Sequence, residues 1–120
     1  MFQTQGGSGG GGGPSWASFA VTDGQSATNL SGETEDGTEY TSVFYSYEII
    51  RGTTVIANGN FVVQYLNGTW VLENGTFLGP LQHGVTFGVT QASTSYQLQA
   101  AADSGAGNGT IKLSKVLVPA

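Results

Sequence analysis

Apolar residues in this chain recur at every second position, in several short runs, and not at the three-to-four spacing of a helix. Such alternation marks a strand with one buried face, because successive side chains leave a pleated backbone on opposite sides. Phe19 and Val21 begin the pattern. From Ser42 onward, Val43, Tyr45, Tyr47 and Ile49 share one face while Phe44, Ser46, Glu48 and Ile50 share the reverse, so this strand is apolar on one side and mixed on the other. Val55 to Ala57 and Phe61 to Leu66 carry the return, and a short strand over 69–73 follows. Val85, Phe87 and Val89 alternate with Thr86, Gly88 and Thr90, and Tyr96, Leu98 and Ala100 alternate with Gln97 and Gln99, giving two strands with one dry and one wet face each. The last strand opens at Thr110 to Leu113. Lys115 then falls where an inward residue belongs and Val116 and Val118 change the phase, which predicts a bulge or a strand exit near Lys115.

Turn signals punctuate these runs. Asn-Gly occurs at Asn58-Gly59, Asn67-Gly68, Asn74-Gly75 and Asn108-Gly109. Both residues tolerate positive φ, which the two-residue type I′ hairpin turn requires, so each pair is read as a turn; at Gly59, inside an otherwise extended run, the choice is between a turn and a bulge. Gly52-Thr53-Thr54, Gly79-Pro80 and the glycine-rich stretch 103–109 add further breaks. About seven strands at spacings of roughly 8 to 12 residues, with no helical period, predict an all-β fold: a single antiparallel β-sandwich, jelly-roll or immunoglobulin-like, over residues 16–120.

The start of the chain is different. Residues 5–13, Gln-Gly-Gly-Ser-Gly-Gly-Gly-Gly-Gly, have almost no side chain to bury, so residues 1–15 are read as an N-terminal arm. Fully extended, 13 residues of it reach about 43 Å, far enough to cross to a neighbouring subunit. No strand precedes the glycines and no Gly-Lys-Ser/Thr follows them, so they do not form a phosphate-cradling loop. The 120 residues suffice for one modest core. There is no cysteine, hence no disulfide and no thiolate metal site. Residues 1–20 lack a basic start and a continuous apolar stretch, which predicts neither a secretory signal nor a membrane span. In a chain that is not secreted, the Asn-Gly-Thr triplets and Asn29-Leu30-Ser31 match the N-glycosylation pattern without being used as such.

Charge is sparse and acidic. Arg51, Lys112 and Lys115 stand against eight carboxylates, net −5. Three cations neutralise at most about three phosphates, so nucleic acid is not an expected partner. Charged residues are 9% of the chain against roughly a quarter in ordinary soluble domains, leaving Ser, Thr, Asn, Gln and Gly to cover the surface. Such an exterior suits a protein that rests largely against other subunits, or one that must survive outside a cell, and an ordinary small β domain with a polar uncharged surface is the alternative.

Catalytic chemistry finds little to work with. His83, the one histidine, precedes a strand without a cysteine or serine motif beside it, and one imidazole is too few for zinc. No cofactor is expected. Glu33, Glu35, Asp36 and Glu39 crowd around Gly37 without the Asp-x-Asp-x-Asp-Gly spacing of a calcium loop; looser β-sandwich calcium sites use similar oxygens, but a solvated acidic loop is the favoured reading. Glu48 and Glu73 lie on strands at solvent-facing positions, which argues against paired-carboxylate hydrolysis. Among the six Phe, five Tyr and two Trp, the aromatics to watch as contact platforms are Tyr40, Phe44 and Trp70.

Tyr47-x-Ile49-x-Arg51-Gly52-Thr53, Gly59 opening a return strand, Gly84-Val85-Thr86-Phe87, and a glycine turn into Gly109-Thr110-Ile111-Lys112 together resemble a β-sandwich domain recurrent in tailed-bacteriophage virion proteins. The resemblance spans residues 42–114. It departs from the pattern at Gln82-His83, where an Asp/Gly turn is usual, and at Ala100-Ala101, where a tyrosine is usual. It implies a non-enzymatic virion component made in the host cytoplasm and assembled as a homo-oligomer, a trimer being one candidate. Within that reading the chain is a capsid decoration protein or short head or tail fibre, held to other virion proteins by its arm. The alternative is a host-surface module binding carbohydrate or a receptor. The residues assigned to partner contact are Gly9, Gly11, Pro14 and Trp16 in and beside the arm, with Phe44, Arg51 and Trp70 in the sandwich; for Arg51, pairing with Glu48 or another local carboxylate competes with that role.

Overall fold

The computed structural model describes residues 15–79 and 83–120. Gly9, Gly11 and Pro14, and with them the arm, lie outside the described residues. Eight strands occur among those described: β1 (Ala17–Val21), β2 (Thr28–Asn29), β3 (Tyr40–Arg51), β4 (Val55–Leu66), β5 (Thr69–Leu78), β6 (Val85–Ala92), β7 (Ser95–Ala102) and β8 (Gly109–Pro119). They form two antiparallel sheets, one of five strands in the order β1-β8-β3-β4-β5 and one of three in the order β2-β7-β6. This is the all-β sandwich that the alternation predicts.

The core lies between the sheets. The odd-numbered face of β3 supplies Val43, Tyr45, Tyr47 and Ile49, all buried, and β7 answers with Tyr96, Leu98, Ala100 and Ala102. Phe61 of β4 stacks between Tyr45, at 4.8 Å, and Phe87 of β6, at 4.7 Å, so a run of rings bridges the two layers. Offset aromatic packing of this kind adds about 0.5–1.5 kcal/mol per pair beyond the area buried.

The four Asn-Gly pairs part company. Asn67 and Gly68, with φ of 50° and 84°, form the two-residue type I′ turn between β4 and β5. Asn58-Gly59 is not a turn: both residues pair with β3 on one side and β5 on the other, and a bulge follows between Gly59 and Phe61. Asn74-Gly75 is not a turn either, since β5 continues through it to Leu78. Asn108-Gly109 ends the glycine-rich loop, where Gly105 and Gly107 carry the positive φ. A hairpin without Asn-Gly joins β6 to β7 at Ser93-Thr94, with Ser93 at φ 56°.

Lys115 makes no bulge. β8 runs in unbroken register against β3 from Val118 to Gly109, with Lys115 opposite Tyr45. Its side chain stays on the inward face and bonds Glu35 at 2.8 Å and Glu33 at 3.3 Å. The loop before β3 is correspondingly not a free acidic loop. Its backbone runs beside β7, with Leu98 N–H donating to Glu33 O and Tyr96 N–H to Glu35 O, and Glu33 is buried.

Candidate functional site

Arg51 continues the inward parity of β3 and is fully buried, with 0% exposure. Nε donates to Gly107 O at 3.0 Å, Nη1 to His83 O at 3.0 Å, and Nη2 to Asp103 O at 2.7 Å and Asp23 Oδ1 at 2.9 Å. Asp23 Oδ1 also accepts from the N–H groups of Gly105 and Gly107. This guanidinium closes one end of the sandwich by tying together the loops after β1, before β6 and before β8. The buried position replaces the surface contact expected of Arg51, and its carboxylate partner is Asp23, not Glu48. Glu48 faces Lys112 at 3.8 Å. His83 accepts from Val85 N–H through Nδ1, and burial, with the Arg51 guanidinium beside it, holds its pKa below the ordinary histidine range.

A second polar knot lies inside the sandwich. The Tyr45 and Tyr96 hydroxyls are 2.6 Å apart, and Tyr45 donates to Glu33, which Lys115 also bonds. Burial raises both tyrosine pKa values, with Glu33 adding to the effect in each. These groups satisfy one another and point to cohesion.

Trp70 also belongs to the interior. It is 4% exposed, its Nε1–H donates to Thr94 O at 2.9 Å, and it meets Tyr96 edge to face. The expectation that it forms an exposed platform therefore gives way to a core role. Trp16 and Phe44, by contrast, are 46% and 50% exposed.

Those two open onto the outer face of the five-stranded sheet. Strand register arranges that face in transverse rows. Ile50 lies beside Ile56 and Thr110; the next row is Ser18-Lys112-Glu48-Asn58-Leu78. Ser114-Ser46-Asn60 follows, and then Val116-Phe44-Val62. Two apolar ridges thus flank a polar trough. In the trough Trp16, Ser18, Glu48, Asn58 and Lys112 line an open concavity of about 400 Å³. Ile56, Leu66, Leu78, Val116 and Val118 are exposed on the same face. The outer face of the three-stranded sheet offers Thr86, Gly88, Thr90, Gln97 and Gln99. Every large apolar side chain exposed among the described residues therefore belongs to one side of the molecule.

Of the seven residues assigned to contact, the structure brings Trp16 and Phe44 to this face, sends Arg51 and Trp70 inside, and leaves Gly9, Gly11 and Pro14 outside the described residues. The sequence reading missed Ile56, Leu66, Leu78, Val116 and Val118. For Val116 and Val118 the signal was present, since their even numbering places them opposite Ile111 and Leu113. No group of three or more His, Cys, Asp or Glu suited to a metal ion occurs among the described residues. No helix among them is long and apolar enough to cross a membrane.

No protein-family model matches the chain, and no curated protein matches it. Among solved structures, the fold is similar to part of the tailspike protein of Acinetobacter phage vB_ApiP_P1, with a TM-score of 0.58 and 13% identity over 100% of this chain and 25% of that one. The tailspike protein of Acinetobacter baumannii phage AM24 aligns with a TM-score of 0.40 and 11% identity over 88% of this chain and 26% of that one. The chain spans about a quarter of the length of these tailspikes. At 13% identity the likeness is one of fold: this sandwich shares its architecture with a portion of a phage tailspike.

Proposed function

We propose that this chain is a non-enzymatic structural module of a bacteriophage virion, a decoration protein or short fibre that joins other virion proteins through its N-terminal arm and presents the sandwich. The observation that carries the reading is the fold shared, over the whole chain, with part of a phage tailspike. The polar clusters support it, because Arg51, Asp23, Tyr45, Tyr96, Glu33 and Lys115 are committed to internal contacts. The low charge supports it too, since an uncharged polar exterior loses little solvation on packing against neighbouring subunits. Mass spectrometry of purified phage particles is the test. The chain is expected at a fixed, symmetric copy number relative to the major capsid or tail protein, and its absence from clean particles would end the reading.

A second reading has its own observation. The concavity holding Trp16, Glu48, Asn58 and Lys112 combines an exposed indole with hydrogen-bonding groups, a set that suits a sugar ring, and its volume of about 400 Å³ is that of a small-ligand cleft. On this reading the module binds a host carbohydrate. A glycan array probed with wild type and Trp16→Ala decides it: a signal lost in the variant supports carbohydrate binding, and no signal with wild type removes it.

A further inference from the structure

We infer that the outer face of the five-stranded sheet is the interface of a two-fold pair, with a second copy of this chain as its occupant. The inference rests on the structural-module reading above. Three observations carry it. The first is segregation: Trp16, Phe44, Ile56 and Val116 are exposed together on this face, while the opposite outer face carries threonine, glycine and glutamine. Exposed apolar side chains gathered on one face in this way mark an association site.

The second is size. Four strands about 4.8 Å apart, followed over nine residues at about 3.4 Å each, with the five residues of β1 beside them, cover roughly 670 Å². A stable interface needs about 800 Å² from each partner, so this face alone nearly supplies one. The third is charge. The face carries Lys112, Glu48 and Glu73, one positive against two negative, whereas the whole chain carries −5. With one unbalanced carboxylate, this face meets a second copy against far less repulsion than the net charge of the chain would impose.

The row order makes the face self-complementary. Across β8, β3 and β4, from one end of the strands to the other, it reads apolar (Ile50, Ile56), polar (Lys112, Glu48, Asn58), polar (Ser114, Ser46, Asn60), apolar (Val116, Phe44, Val62), with Leu78 and Glu73 at the β5 ends of the second and fourth rows. A two-fold axis along the trough sets ridge on ridge and trough on trough, the isologous arrangement of a closed pair. Aligned sheet packing, about 10 Å between layers, is the corresponding geometry. A copy seated this way closes the Trp16 concavity, so pairing and glycan binding at that groove exclude each other.

Sedimentation equilibrium of the full chain over a range of concentrations tests the pairing. Wild type is expected at twice the 12.3 kDa chain mass. Phe44→Asp combined with Val116→Asp is expected to weaken association at least about 100-fold, while keeping the wild-type far-ultraviolet circular dichroism spectrum, because both side chains are exposed in the single chain. Thr86→Asp, on the opposite face, is expected to leave association unchanged. A monomeric or trimeric wild type, or a doubly substituted chain that still pairs, overturns the inference. Particle content separates the two proposals: a monomer found in virions sinks the pairing alone, and a dimer missing from virions sinks the virion reading alone.

Discussion

Arg51 Nη2 lies 2.9 Å from Asp23 Oδ1, and that contact joins the end of β3 to the loop after β1 across 28 residues of chain. The guanidinium is fully buried while the Asp23 side chain is 36% exposed. Removing the partner of a buried charge leaves that charge uncompensated, at about 3–5 kcal/mol. Asp23→Ala also removes the acceptor of the Gly105 and Gly107 N–H groups, which water can replace, and is expected to lower the melting temperature by more than about 10 °C. Calorimetry checks this; a shift of a degree or two would mean that Arg51 is held by its carbonyl acceptors alone.

Gly84 sits against the same guanidinium. Its φ is 77°, and a Cβ placed there would meet Arg51 Nη1 at 2.6 Å. Gly84→Ala therefore strains the backbone and displaces the clamp, at an expected cost of about 1–3 kcal/mol by chemical denaturation. A neutral result would show that the loop before β6 relaxes freely.

Asn58-Gly59 and Asn67-Gly68 look alike on paper and are expected to fail differently. Gly68→Ala meets open space at positive φ, so it costs about 1 kcal/mol through backbone strain. Gly59→Ala drives a methyl group into Tyr47 and Phe77, a packing clash of about 1–3 kcal/mol. Restoring room with Tyr47→Leu should recover part of the Gly59→Ala loss and none of the Gly68→Ala loss. Equal rescue of both would refute the distinction.

Trp70→Ala removes a buried indole and its bond to Thr94 O, with an expected loss of about 3–5 kcal/mol. Trp16→Ala changes an exposed residue and is expected to stay within about 0.5 kcal/mol of wild type. Urea titrations of the two variants side by side measure the contrast, which would vanish if Trp16 were as deeply packed as Trp70.

Stability should respond to alkali. Burial, then Tyr96 and Glu33, lifts Tyr45 above the ordinary tyrosine value of 10.0; burial likewise lifts Tyr96, against the opposing pull of its hydrogen bond with Tyr45. For Lys115, burial alone would lower the pKa, but the Glu35 and Glu33 carboxylates outweigh it and raise the value above 10.5. All three groups hold their protons more tightly folded than unfolded. The stability they contribute is complete below about pH 10 and is lost as pH rises beyond it. Melting temperature is expected to hold to about pH 9 and fall steadily above 10, less steeply in Tyr45→Phe. His83 acts oppositely: its lowered pKa favours the neutral form in the fold, so its contribution, present above 6.5, declines as pH falls below that value. His83→Gln should flatten that acid limb, and an unchanged limb would exclude His83 as its origin.

Alternation by itself determined which residues of the long strands share a face, because a pleated backbone leaves no other arrangement for side chains two apart, but it showed neither β2 nor the continuation of β5 to Leu78. Even the inward setting of Arg51 and Lys115 follows the parity of their strands, although a charged residue at an inward position reads in sequence as an irregularity. Tertiary structure decided what met those residues. Asp23, His83, Asp103 and Gly107 reach Arg51 from loops far apart in the chain, and Glu33 and Glu35 reach Lys115 from a segment bonded to β7. It also decided which turn signals were used: Asn-Gly permits positive φ, but long pairing with β3 and β5 holds Asn58-Gly59 extended, and only Asn67-Gly68 falls where a two-residue hairpin must close. Both faces of β3 carry apolar side chains. The three-stranded sheet covers only the odd-numbered face, and so leaves Phe44 and its neighbours exposed.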